Sequence, residues 1–79
     1  MQKVAFDFSK LRGRIIEQYG SCAAFSDVAG FKPGALSMRL NSQTPWKGHE
    51  ILVVCKMLNI PAEEVSLYFF TQKFRKVEQ

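Results

Sequence analysis

The side chains that could carry chemistry are few and far apart. Cys22 and Cys55 are the two cysteines and His49 is the one histidine. Their spacing offers no C-x-x-C pair and no finger-type ligand set, so a structural zinc site is not expected. Two cysteines are too few for a disulfide-stapled secreted fold, and both read as reduced, partly buried, small hydrophobes. His49 has no nucleophile or ligand cluster around it, which suits a surface or capping role better than catalysis. Glu63 and Glu64 are adjacent carboxylates, but they follow Pro61 at a helix start, where the positive end of the helix dipole accounts for them. No phosphate-binding loop stands out. The sequence predicts neither an enzyme nor a bound cofactor.

Charge is more informative. Eleven Lys and Arg oppose seven Asp and Glu, giving a net charge of +4 and a pI near 9.3. A small basic domain suits a polyanionic partner, because neutralising phosphates releases counterions. Ordinary solubility charge would give the same total. The distribution discriminates better. Between Asp27 and Glu50 the chain carries Lys32, Arg39 and Lys47 and no acid.

The elements that must position these groups are helical. The length of 79 residues allows one domain with a thin core. With 47% hydrophobic and 23% charged residues, a disordered chain is excluded. The longest apolar runs, such as Ile51 to Cys55, are far short of the roughly 20 residues of a membrane span. The start lacks a signal peptide's apolar stretch, so a soluble, cytoplasmic protein is expected. Phe8, Leu11, Ile15 and Tyr19 form one stripe of a first helix, capped by Asp7 or Ser9 and stopped by Gly20. Ser21 caps a short second helix ending at Val28 or Ala29, and Gly30 supplies a turn. A third helix begins near Pro33 and runs to about Leu40. A fourth starts between Pro45 and Gly48 and ends at Asn59, which can adopt a left-handed conformation. Pro61 opens a fifth. The tail from Thr71 fits either a helix, through Phe70, Phe74 and Val77, or a strand, through Phe70, Gln72 and Phe74. The fold class expected is all-α, five short helices around one core, with residues 1–79 as a single domain.

The stretch from Ser21 to Asn41 holds the pattern with a mechanism. Two short helices flank a glycine turn, as a helix-turn-helix requires. Phe25 is the buried apolar residue, Ser26 is small where the third helix crosses, Gly30 tolerates positive φ, and Leu36 plugs the gap between the helices.

On those residues, SCAAFSDVAGFKPGALSMRLN (21–41) resembles the helix-turn-helix of the lambda-repressor-like group, the Cro and repressor proteins of temperate phages. FDFSKLRGRIIE (6–17), the loop at Leu40 and LNIPAEEV (58–65) are similar to small Cro-type regulators of Gram-positive phages and prophages. The resemblance implies a five-helix domain that binds a double-stranded DNA operator and regulates transcription. It also implies a DNA face of Ser21, Cys22, Lys32, Pro33, Gly34, Ser37, Met38, Arg39, Asn41, Ser42 and Lys47. Several positions depart from the family pattern. Cys22 stands where a phosphate-touching glutamine is common, and Ser26 replaces the usual alanine. The first turn of the recognition helix is Pro33-Gly34-Ala35, which has no side-chain donor or acceptor for a base edge. That bare turn supports the alternative, an antirepressor-type module that binds another phage regulator protein. Met38 reads either as a contact to a thymine methyl or as core filling, and Trp46 either as a loop anchor or as a stacking surface. A homodimer is expected through Tyr68, Phe69, Phe70 and Phe74, on the argument that so small a domain cannot bury them all.

Overall fold

The computed structural model describes residues 6–72. Helix α1 spans Ser9–Tyr19, α2 Cys22–Ala29, α3 Ala35–Leu40 and α4 Gly48–Leu58. A 3-10 turn at Ala62–Glu64 leads into α5, Val65–Phe69. The all-α class and the five helices are as expected. The described residues form no strand, only an isolated antiparallel bridge between Phe6 and Gln72. Beside it the Asp7 N–H donates to the Thr71 carbonyl at 2.7 Å, so the two ends of the described chain meet.

Helix α1 buries Leu11 and Ile15 completely, on the predicted stripe. Its cap position is Phe8 rather than Asp7 or Ser9, and Phe8 supplies no side-chain cap. Asp7 lies ahead of it, and its carboxylate accepts from the Ser9 N–H at 2.9 Å and from the Ser9 hydroxyl at 2.7 Å. Polar side chains of α1 then satisfy the C-terminal carbonyls of α4, which have no partners within their own helix. Arg14 donates to the carbonyls of Leu58 at 3.0 Å and Asn59 at 2.9 Å. Gln18 donates to Leu58 at 3.1 Å, and the Tyr19 hydroxyl donates to the Met57 carbonyl at 3.3 Å. The cation of Arg14 sits at the negative end of the α4 dipole, where it is favoured.

Ser21 caps α2 by accepting from the Ala24 N–H at 3.0 Å. Gly30 ends it with φ of 85°, the left-handed turn assigned to it. Helix α3 corrects an expectation. Pro33 is not its first residue, because Gly34 takes φ of 82° and breaks any right-handed continuation. Lys32 to Gly34 form a separate turn closed by the Ala35 N–H on the Lys32 carbonyl at 2.9 Å. Helix α4 begins at Gly48, with the Lys47 N–H held by the Glu50 carboxylate at 3.0 Å. Asn59 ends it at φ of 57°, as expected. The fifth element is shorter than the expected helix from Pro61, since its first turn is 3-10.

One hydrophobic core joins all the helices. Phe25, Val54 and Leu58 are fully buried with Leu11 and Ile15, and Phe69 closes the C-terminal side at 1% exposure. Trp46 anchors the loop before α4. Its ring lies 5.1 Å from Phe69 and 6.2 Å from both Phe8 and Phe31. Its buried indole N–H has no hydrogen-bond partner among the described residues.

Candidate interaction face

Helices α2 and α3 and the turn between them form the face that the sequence singles out. A groove of about 470 Å³ runs along it, between α2 residues such as Cys22, Ala23 and Asp27 and the α3 side from Pro33 to Ser37. The structure therefore brings Cys22, Pro33, Gly34 and Ser37 to one place. Lys32 is exposed at the mouth of the turn. Met38 is 45% exposed, so it does not fill the core. Leu36 and Leu40 hold α3 down from below.

Of the other expected face residues, Arg39, Asn41, Ser42 and Ser21 are engaged elsewhere. The Arg39 guanidinium turns back onto the protein. Its Nε and Nη2 donate to the two Glu50 carboxylate oxygens at 2.9 Å each, and its Nη1 donates to the Ala35 carbonyl at 3.1 Å. It also lies 5.6 Å over the Phe31 ring. Both side chains of the pair are largely buried, at 13% and 15% exposure. The Arg39 hydrogen bonds hold the Glu50 carboxyl below the ordinary glutamate range. Asn41 accepts from Arg12 at 3.4 Å, and the Ser42 hydroxyl donates to the Phe6 carbonyl at 3.1 Å. These two line a separate recess with Asp7 and Arg12. Ser21 spends its oxygen on the α2 cap. Lys47 is exposed ahead of α4.

Asp27 is the residue that sequence reasoning missed. In the sequence it only bounds an acid-free interval. Four residues after Ala23, it lies on the same side of α2, and its exposed carboxylate lines the groove. It forms no ion pair among the described residues. A free carboxylate there opposes phosphate and favours a cationic group.

The aromatic cluster also needs correction. Tyr68 and Phe69, expected to be shared with a second copy, are 5% and 1% exposed within this one chain. The domain does bury them, because α5 packs against α1, with Lys10 and Arg14 covering the Tyr68 ring at 5.0 and 5.9 Å. Phe70 is half-exposed. Phe74 and the rest of the tail lie outside the described residues. Cys55 is buried, and burial pushes its thiol up from the ordinary cysteine value. Among the described residues no group of three or more His, Cys, Asp or Glu is placed to hold a metal ion. No helix there is long and apolar enough to cross a membrane.

The fold and this face define a small all-α domain that presents a paired α2–α3 surface. Residues 4–72 match the family described as "Protein of unknown function (DUF739)", and the chain belongs to that family. Among solved structures it is similar to the modulator of repression (MOR) of the temperate bacteriophage TP901-1 from Lactococcus lactis. The two are 32% identical, with 82% of this chain and 88% of that chain covered and a TM-score of 0.73. No curated protein matches the chain.

Proposed function

We propose that this chain is a phage regulatory module that acts by binding another phage regulator, a repressor, through its α2–α3 face. The observation that carries the reading is the chemistry of that face. Its entry turn, Pro33-Gly34-Ala35, has no side chain able to pair with a base edge. Arg39 is neutralised by Glu50, and Asp27 puts an unpaired carboxylate on the groove. Such a surface suits a protein with a basic, partly apolar face. The likeness to a modulator of repression supports the same reading. In this role the chain withdraws a repressor from its operator without chemistry of its own.

A second reading keeps the Cro-like, operator-binding regulator. The exposed Lys32, Ser37 and Met38 and the net charge of +4 favour it. One experiment separates the two. A labelled operator is titrated with the repressor of the same phage, in the presence and absence of this chain, and fluorescence anisotropy is read. The protein-binding reading expects the chain alone to leave the operator unbound. It expects the chain to raise the repressor concentration needed for half-saturation by at least about tenfold, a coupling of about 1.4 kcal/mol. Asp27→Lys and Met38→Glu should each abolish that effect. Direct binding of the chain to the operator, weakening steeply with salt, would instead establish the DNA-binding reading.

A further inference from the structure

We propose that the outward face of α4 is a second docking surface, fitted to an acidic amphipathic helix of a protein partner. The inference does not depend on the α2–α3 reading. Helix α4 buries Val54, Cys55 and Leu58. At 100° per residue the opposite side carries His49, Leu52, Val53 and Lys56, the i, i+3, i+4, i+7 pattern of one face. All four are exposed. Leu52 is 69% and Val53 46% exposed, at positions where solubility alone would place charge. Val53 also lines a recess between α4 and the end of α2, with Ala29 and Gly30 on its far wall. Val28, one residue before that wall, is 64% exposed. The middle of α4 is thus an apolar strip with a basic residue one turn to either side.

The charge pattern selects the occupant. The one acid of α4 is Glu50, and both its oxygens are taken by Arg39. The basic residues beside the strip, His49 and Lys56, make no ion pair among the described residues. Carboxylates flanking an apolar ridge would complement the Lys56 cation and accept a hydrogen bond from the His49 ring. A second copy of this chain would not. A two-fold antiparallel pairing centred on Leu52 and Val53 sets His49 against the second copy's Lys56. A parallel pairing sets each Lys56 against the other. Neither brings a carboxylate of α4 to a base of α4. The recess between α2 and α4, lined by Ala29, Gly30 and Val53, is where a ridge of a partner helix would lodge.

The probe is a fluorescein-labelled synthetic peptide of about 18 residues, five turns, with leucines at i, i+3, i+4 and i+7 and glutamates on both flanks. A counterpart carries lysines in place of the glutamates. Anisotropy with the full chain should show the glutamate peptide binding at least about tenfold tighter than the lysine peptide, and weakening as salt rises. Leu52→Glu with Val53→Glu should lose that binding by a similar factor, while Met38→Glu keeps it. Amide NMR shifts in the titration should centre on Val28, His49, Leu52, Val53 and Lys56. Thermal melts confirm that the variants fold, which the exposure of these sites favours. Equal binding of both peptides, no binding, or shifts centred on the α2–α3 groove would overturn the proposal. So would sedimentation showing that the full chain self-associates and that Leu52→Glu abolishes it, which would give the face to a second copy. Because Met38→Glu acts on the other face, failure here is distinct from failure of the repressor reading.

Discussion

Arg39 illustrates how one residue can carry opposite expectations. In the sequence it is a cation on the expected third helix, in an acid-free interval. In the structure it ties α3 to α4 through Glu50, and its positive charge is spent locally. Partial burial makes the pair stronger than a surface ion pair, and residual exposure screens it, so Arg39→Ala should cost about 1–2 kcal/mol in urea unfolding. Glu50 supplies a pH signature. Its folded carboxyl titrates below the ordinary value, so its stabilisation is present above the unfolded pKa, about 4.3. That stabilisation is lost as pH falls through the depressed folded value. Glu50→Gln should therefore be less stable than wild type at neutral pH and lose less on acidification. Parallel acid limbs for the two proteins would contradict this. The cysteines give a second residue-scale prediction. Cys22 is partly exposed at the groove, whereas Cys55 is buried with its thiol held protonated. Ellman's reagent should modify Cys22 in the native protein and Cys55 only on unfolding. Simultaneous loss of both thiols would show that Cys55 is not shielded.

At the scale of the helices, the sequence was legible wherever a local rule sufficed. Ser21 as cap, Gly30 and Asn59 in left-handed turns, and Leu11 with Ile15 on one stripe each follow from residue type and spacing. The start of α3 was not legible. Pro33 favours a first helical position, but whether the following glycine continues a helix or reverses it depends on how α3 is held against α2. The Arg39–Glu50 pair was hidden for a similar reason. Eleven positions separate the partners, and only the packing of α3 on α4 brings them together. Asp27 was missed because its face of α2 matters only once a groove exists. Helix α1 offers a test of the local rules. Gly13 lies in its interior, and a Cβ built there meets nothing within 4 Å. Gly13→Ala should stabilise the domain by about 0.5–1 kcal/mol, since only the cost of ordering glycine is removed. Ser21→Ala should destabilise it by about 1 kcal/mol through loss of the α2 cap. Chemical denaturation midpoints check both signs, and a destabilising Gly13→Ala would mean that α1 is bounded by something the local geometry does not include.

For the whole molecule, the question is what closes so small a core. A domain of 79 residues has a total stability of only about 4–12 kcal/mol, so a single large side chain can decide whether it folds. Helix α5 is five residues long and cannot persist on propensity. It is held by Tyr68 and Phe69, which face α1 and Trp46 and seal the core from the C-terminal side. The neighbouring aromatic, Phe70, is 50% exposed and packs edge-on against Phe6 at 5.7 Å, outside that seal. Adjacent residues of the same type should therefore behave differently. Phe69→Ala removes a fully buried ring and should cost about 3–5 kcal/mol. For a domain of this length each kcal/mol lowers the melting temperature by roughly 4–8 °C, so the loss should be at least about 12 °C. Phe70→Ala should cost about 1 kcal/mol or less, because half of its ring is already in water. Thermal melts by circular dichroism distinguish the two. Similar losses for both variants, with the Phe70→Ala loss dependent on protein concentration, would mean that the exposed ring is covered by a second copy and that the core is closed between chains rather than within one.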